Sequence, residues 1–154
     1  MNIKPINSIN TAIRFIALLG LFASVPAALA ERLVLAPTQV APGVYVVVGA
    51  LGAQTYENGG LNNNPGFVIG ENGVLVINSG PSVRVAKALH AAIEKITKRP
   101  VKWVVNVNNQ NHNWHGNGYF KSIGAKILAH READRIMRET GEAQLEESKT
   151  LLQR

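Results

Sequence analysis

The chain has 154 residues, a formal net charge of +6 and no cysteine. The lack of cysteine excludes disulfides, thiolate metal ligands and cysteine nucleophiles, and Asp134 is the single aspartate of the sequence. The basic residues are scattered and do not alternate with aromatic residues, so no nucleic-acid partner is expected.

The N-terminal segment has the pattern of an export signal. Lys4 and Arg14 surround a stretch without acidic residues, and the apolar run 15–25 that follows is shorter than the ~18 residues of a membrane-spanning helix. Ala28 and Ala30 supply the small residues that signal peptidase requires. A membrane anchor is the alternative, and Pro26 argues against it because it interrupts the apolar stretch.

We therefore expect residues 1–30 to be a cleaved signal peptide, with the mature protein beginning at Glu31. The length of the segment 31–154 suits one domain and not two. The mature protein is expected in the periplasm or outside the cell, without a stable membrane anchor after cleavage.

The first part of this domain has the pattern of three strands. The β-branched run 44–48 follows Pro42-Gly43 and is typical of a buried strand. The stretch 51–65 is rich in Gly and Asn, which predicts a loop. The apolar runs 67–69 and 74–77 flank Asn72-Gly73, a dipeptide that favours a tight hairpin turn.

The second part alternates helices and strands. Ser82 is placed to cap a helix that runs through residue 98, and Pro100 ends it. The run 101–107 predicts a strand that enters a polar loop, residues 108–118. A short strand, 125–129, then precedes a charged helix from about Glu132 to the last residue. This order indicates an α/β fold with helices on a mixed sheet.

Three segments, 66–70, 73–80 and 100–106, together with Gly116-Asn117, carry a family pattern. They resemble the metallo-β-lactamase-fold hydrolases, and within them the exported group described as quinoprotein relay system zinc metallohydrolases. The resemblance spans about residues 40–133 and needs no gap between positions 100 and 120. It implies the first half of a metallo-β-lactamase-type αββα sandwich, a mixed sheet with helices on one face, in a chain truncated before the second half.

In that family the loop after the fourth core strand reads Thr-His-x-His-x-Asp-His-x-x-Gly-Asn. The resemblance implies that its His and Asp side chains hold zinc and position a hydroxide. Without a gap, these ligand positions fall on Asn108, Gln110, His112 and Asn113, and the Asp that ends an earlier family strand is Asn78. Because none of these residue types matches, we expect zinc to be absent or weakly bound.

A second register, shifted by two residues, places Gln110, His112 and His115 on the three His positions. These residues would form a neutral metal site of moderate affinity. The shifted register puts Trp114 at the Asp position and loses the match at Gly116, so we rank it second.

The plainer alternative is that these polar side chains satisfy backbone groups through hydrogen bonds. Trp114 would then anchor the loop. His90 and His130 have no partner in the sequence that would make them catalytic, and His130 is placed to cap the last helix.

Three functions remain open. The first is an exported, hydrolase-like protein of this fold that lacks the usual two-zinc activity. The second is a non-catalytic periplasmic binding or accessory protein. The third is a periplasmic module that contacts a partner through the Asn-rich loop. The partner is an unidentified small-molecule substrate or protein, and an uncovered sheet face predicts self-association. β-Lactam hydrolysis does not follow from the fold.

Overall fold

The structure is a computed structural model that describes residues 33–152. The predicted signal peptide and its cleavage site after Ala30 lie outside the described residues and stay predictions. Ten elements follow in chain order: β1 (Thr38–Ala41), β2 (Val44–Val46), β3 (Gly66–Gly70), β4 (Gly73–Ile77), α1 (Val83–Ile96), β5 (Val101–Asn106), α2 (Asn111–Trp114), α3 (Asn117–Ser122), β6 (Lys126–Ala129) and α4 (Arg131–Leu151).

The six strands form one sheet in the order in which they occur along the chain. The pairs β1–β2, β2–β3 and β3–β4 are antiparallel, whereas β4–β5 and β5–β6 are parallel. The two parallel pairs are joined by crossovers that contain α1 and the α2–α3 segment. The predicted α/β fold with a mixed sheet is confirmed.

Local signals in the sequence account for the main turns and caps. Gly70 pairs with Gly73 across the predicted hairpin. The hydroxyl of Ser82 accepts a hydrogen bond from the backbone N–H of Val85 over 3.2 Å, which is the expected N-cap of α1. The helix ends at Ile96, two residues earlier than predicted. The backbone adopts an extended conformation at Thr97, ahead of Pro100.

Two features of the fold differ from the sequence-based prediction. Strand β1 was not predicted, because its four residues are all exposed and give no alternation of buried and exposed side chains. The stretch 108–118 was predicted as a loop, and it contains the short helix α2 and the start of α3. Its Asn-rich composition is unfavourable for long helices but compatible with single turns.

The core lies between one face of the sheet and α1. Val76 of β4 and Val104 of β5 are neighbours in register, and both are fully buried. From α1, Leu89 and Ile93 are fully buried as well, and Phe120 of α3 joins the same cluster. Each such side chain contributes on the order of 1.5–3 kcal/mol through burial.

The opposite face of the sheet is apolar but only partly buried. Side chains alternate along each strand, so Leu75 and Trp103 share this face, and Ile77, Val105 and Leu128 lie in one row across it. Four of these side chains are half-buried, namely Leu75, Trp103, Ile77 and Val105. Leu128 is 47% exposed. Apolar surface is therefore accessible on this side.

No helix among residues 33–152 is long and apolar enough to cross a membrane.

Candidate functional site at the carboxyl edge of the sheet

The parallel strands β4 and β5 end at the same edge of the sheet, where their following loops meet. The loop after β4 begins at Asn78, and the loop after β5 begins at Val107. Asn78 has a positive φ of 60°, a conformation that Asn tolerates better than most residues. Its Oδ1 accepts a hydrogen bond from the backbone N–H of Val107 over 3.0 Å. A neutral amide thus ties the two loops together at the position where the resemblance implies a carboxylate.

A close backbone contact fixes the second end of the loop. The N–H of Gly116 donates to the carbonyl of Gly80 over 3.0 Å. A Cβ on Gly116 would lie 2.3 Å from the carbonyl oxygen of Ser79, so only glycine fits here. Asn106 Nδ2 also donates to Oδ1 of Asn117 over 3.1 Å, which links the start and the end of the segment.

Between these two ends, the side chains of four residues form an amide network. Asn63 Nδ2 donates to Oδ1 of Asn113 over 2.6 Å, and Asn113 Nδ2 donates to Oδ1 of Asn108 over 2.6 Å. Asn108 Nδ2 donates in turn to Oε1 of Gln110 over 3.1 Å. The same Asn108 Oδ1 accepts from the backbone N–H of Gln110 over 2.9 Å.

The network brings together three of the four positions that the gapless register assigns to zinc ligands: Asn108, Gln110 and Asn113. Asn113 is its buried centre, with 3% of its surface exposed. The Asn113 carbonyl also accepts from the N–H of Gly80 over 3.3 Å, so both loops depend on this residue.

His112, the fourth position, is not part of the network. Among residues 33–152 its side chain has no hydrogen-bond partner, and it is half-buried. Burial lowers the pKa of His112 from its ordinary value because the charged ring would lose solvation.

His115 is directed toward α4 instead of the loop. Its Nδ1 lies 3.3 Å from the hydroxyl of Ser148, which also accepts a hydrogen bond from Asn111 Nδ2 over 3.4 Å. Burial lowers the pKa of His115 as well. None of the hydrogen bonds described for residues 33–152 joins the three residues of the shifted register, Gln110, His112 and His115.

Trp114 anchors the short helix α2. Its indole N–H donates to the carbonyl of Asn109 over 3.1 Å. A Cβ on Gly141 of α4 would lie 2.9 Å from the indole ring, so α4 packs closely on Trp114. The predicted anchoring role of this residue is confirmed.

The two histidines outside the loop have structural contacts. His90 Nδ1 lies 2.8 Å from the hydroxyl of Tyr119. His130 is the N-cap of α4, and its Nδ1 accepts from the backbone N–H of Glu132 over 3.3 Å. The predicted capping role of His130 is confirmed.

As a zinc site, this cluster does not fit. Zinc in proteins prefers imidazole, thiolate and carboxylate ligands, whereas the residues that meet here offer neutral amides that are already bonded to one another. Within residues 33–152, no group of three or more His, Cys, Asp or Glu side chains is arranged to hold a metal ion. The donor set instead suits hydrogen bonding within the loop.

Asn63 is the member of the network that the sequence did not indicate as a site residue. It belongs to the Asn-rich loop before β3 and lies 50 residues from its partner Asn113. The triplet of asparagines at 62–64 was the only feature of the sequence that could have pointed to this residue. Its pairing depends on the hairpin β3–β4, which carries this loop to the carboxyl edge of β5.

The fold of residues 33–152 is similar to that of solved metallo-β-lactamases. Metallo-β-lactamase FIM-1 from Pseudomonas aeruginosa, solved in a mono-zinc form, is similar with a TM-score of 0.61 and 13% identity, over 72% of this chain and 48% of that chain. The metallo-β-lactamase of Pontibacter korlensis gives 0.60 and 18% identity, over 70% and 48%.

The metallo-β-lactamase of Hirschia baltica is similar with a TM-score of 0.60 and 11% identity, over 70% of this chain and 48% of that chain. The chain thus spans about half the length of these solved structures. No protein-family model matches it. The predicted fold, the first half of a metallo-β-lactamase-type sandwich, is confirmed.

Proposed function

We propose that this protein is an exported protein of hydrolase-like metallo-β-lactamase fold whose loop after β5 does not support two-zinc hydrolysis. The observation that carries the proposal is the hydrogen bonding of Asn113, which accepts from Asn63 and donates to Asn108. Both polar atoms of its side chain are used within the protein, at a position where the family has a zinc-binding histidine.

The chemistry of the donors supports this proposal. An amide carries no charge, so it offsets little of the free energy that zinc loses when it sheds water. To bind a metal, Asn108 and Asn113 would also have to break a partly buried hydrogen bond, and such a loss leaves partners unsatisfied. The loop is therefore held by its own amides.

Zinc titration of a rebuilt loop tests the proposal. The variant Asn108→His, Gln110→His, His112→Asp and Asn113→His restores the family pattern and should bind zinc at least about tenfold more tightly than the unmodified protein. Asn109→His adds an imidazole to the same loop outside the ligand positions, so it serves as the matched control. If the rebuilt loop bound zinc no better than this control, the four positions would not be the ligand positions. That result would contradict the assignment on which the proposal rests.

Hydrolysis is the second readout. With added zinc, the unmodified protein should not turn over a chromogenic β-lactam or an activated ester above the rate in buffer. Turnover that a chelator abolishes would overturn the proposal.

Export is part of the same proposal. It rests on the N-terminal pattern of Lys4, the apolar run 15–25 and the site at Ala30. Mass spectrometry of periplasmic material should find a chain that begins at Glu31. An intact Met1 terminus in the membrane fraction would contradict it.

A binding or accessory role is the second candidate function. The accessible apolar face around Val105 and Leu128 favours it, since such a face commonly marks a contact with another protein. Co-purification with a defined periplasmic partner, lost on Val105→Glu, would support this role.

A further inference from the structure

An open groove lies between the last strand of the sheet and the last helix. It encloses about 970 Å³ and is bordered by β6 on one side and by the first turns of α4 on the other. Trp114, Ala125 and Met137 supply apolar surface within it. The volume falls in the range of binding clefts in proteins.

The β6 wall of this groove is a strand edge. β6 pairs with β5 through Lys126–Ala129, and no strand among residues 33–152 pairs with its other edge. A free edge presents backbone N–H and C=O groups in a row, and a second extended backbone satisfies such a row best.

The charges around the groove are mainly positive. Lys121, Lys126 and Arg131 line it, and none of them has an ion-pair or hydrogen-bond partner through its side chain among residues 33–152. Asp134 is the one acidic residue of the lining, and its carboxylate is paired with Nε of Arg138 over 3.0 Å. Three cations are therefore available to an acidic partner.

The side chains of β6 alternate in a way that defines the partner further. Lys126 and Leu128 lie on the same face of the sheet, and Leu128 is 47% exposed. A strand added beside β6 would place its own side chains next to this charged and apolar pair. Carboxylates on this face of the added strand would match Lys126, and aliphatic side chains on its other face would match the apolar lining of the groove.

We propose that this groove binds an extended acidic peptide segment, which adds to β6 as a further strand. The backbone of the peptide would pair with the free edge, and its carboxylates would lie on the face of Lys126, in a positive field to which Lys121 and Arg131 contribute. A second copy of this chain is a poorer occupant, because pairing β6 with β6 would bring the same cations together. The proposal does not depend on whether the loop after β5 binds zinc.

A defined peptide tests it. The acetylated and amidated heptapeptide EVEVEVE, in which Glu and Val alternate, should bind the full chain in calorimetry at low salt and more weakly as salt is added. Its lysine counterpart, KVKVKVK, has the same apolar pattern with the opposite charge and should not bind. An EVEVEVE peptide that is N-methylated at every residue keeps the charge but has no backbone N–H to donate along either edge, so it should not bind either.

Charge reversal locates the site. Lys126→Glu combined with Arg131→Glu should weaken the binding of EVEVEVE by about tenfold or more. Lys87→Glu with Lys95→Glu makes the same change on exposed positions of α1, so it should leave the affinity within about twofold. Circular dichroism confirms that each variant is folded.

Three results would overturn the proposal. The first is equal binding of the methylated and unmethylated peptides, which would indicate a merely electrostatic contact. The second is equal weakening by the two pairs of charge reversals. The third is competition by inorganic phosphate at the concentration of the peptide, which would indicate a simple anion site. These peptide results do not involve zinc, so they are independent of the test of the proposed function.

Discussion

Asn113 Nδ2 donates a hydrogen bond to Oδ1 of Asn108 over 2.6 Å, and both residues stand where the family resemblance places zinc-binding histidines. The two amides hold each other across the loop that follows β5. Asn63 adds a third amide from a distant part of the chain. Hydrogen bonds between amides thus hold this loop in place. The family resemblance implies that metal coordination would hold it instead.

Replacement of Asn113 by alanine should lower the free energy of unfolding by about 1–3 kcal/mol. The change leaves the half-buried side chains of Asn63 and Asn108 without their partner. Urea unfolding measures the effect. Asn109→Ala is the matched control, since the Asn109 side chain has no hydrogen bond among residues 33–152, and its cost should stay below about 0.5 kcal/mol. Equal costs for the two variants would contradict a network centred on Asn113.

Gly116→Ala should destabilise the protein by about 2 kcal/mol or more, because the new methyl group would meet the Ser79 carbonyl oxygen at 2.3 Å. Gly118→Ala serves as the control within α3, where nothing lies within 4 Å of the added carbon. Alanine favours helix over glycine, so Gly118→Ala should stabilise by up to ~1 kcal/mol. Thermal unfolding of both variants checks the opposite signs, and the same sign in both would contradict the close approach.

Stability should fall as the pH is lowered beneath 6.5. Burial lowers the pKa of His115 and of His112 from their ordinary value of 6.5. In this window the unfolded chain binds protons that the folded chain resists, so the free energy of unfolding rises with pH.

Urea titrations from about pH 7 to about pH 5 measure this slope. His115→Gln removes one of the two groups, and its stability should depend less on pH than that of the unmodified protein. If the free energy of unfolding changed equally with pH in His115→Gln and in the unmodified protein, His115 would not contribute to the pH dependence.

The partly exposed sheet face predicts self-association. Val105 is half-buried in the row that includes Leu128, so Val105→Glu places a charge within this apolar surface. Sedimentation velocity should show oligomers of the mature protein and a shift toward monomer in this variant. Val48→Glu changes a residue that is 68% exposed in a loop, and it should leave the distribution unaltered. A purely monomeric unmodified protein would contradict the prediction.

Much of the fold could be predicted because local signals decide it. Asn72-Gly73 specifies the hairpin, and Ser82 and Pro100 bracket α1. Strand β1 was missed because an exposed strand of four residues has no hydrophobic pattern. Its pairing with β2 is decided by the turn at Gly43, where φ is 71°.

The site could be predicted only in part. The structure joins Asn108, Gln110 and Asn113 in one network, because neighbours in sequence stay neighbours in space, and their assignment as metal-ligand positions stays a prediction. The contacts of Asn63 and Ser148 join residues 50 and 33 positions apart. Such pairs depend on how hairpins and helices pack, and no spacing within the sequence reports them.

The metal content of the unmodified protein tests the central claim most directly. Calorimetric titration of the purified mature chain with zinc should show weak binding of less than about one ion per chain, because the loop offers bonded, neutral amides at three of the four ligand positions. His112→Ala should leave the titration unchanged. Tight, stoichiometric zinc that is lost on His112→Ala would contradict the account and would favour a site formed by Gln110, His112 and His115.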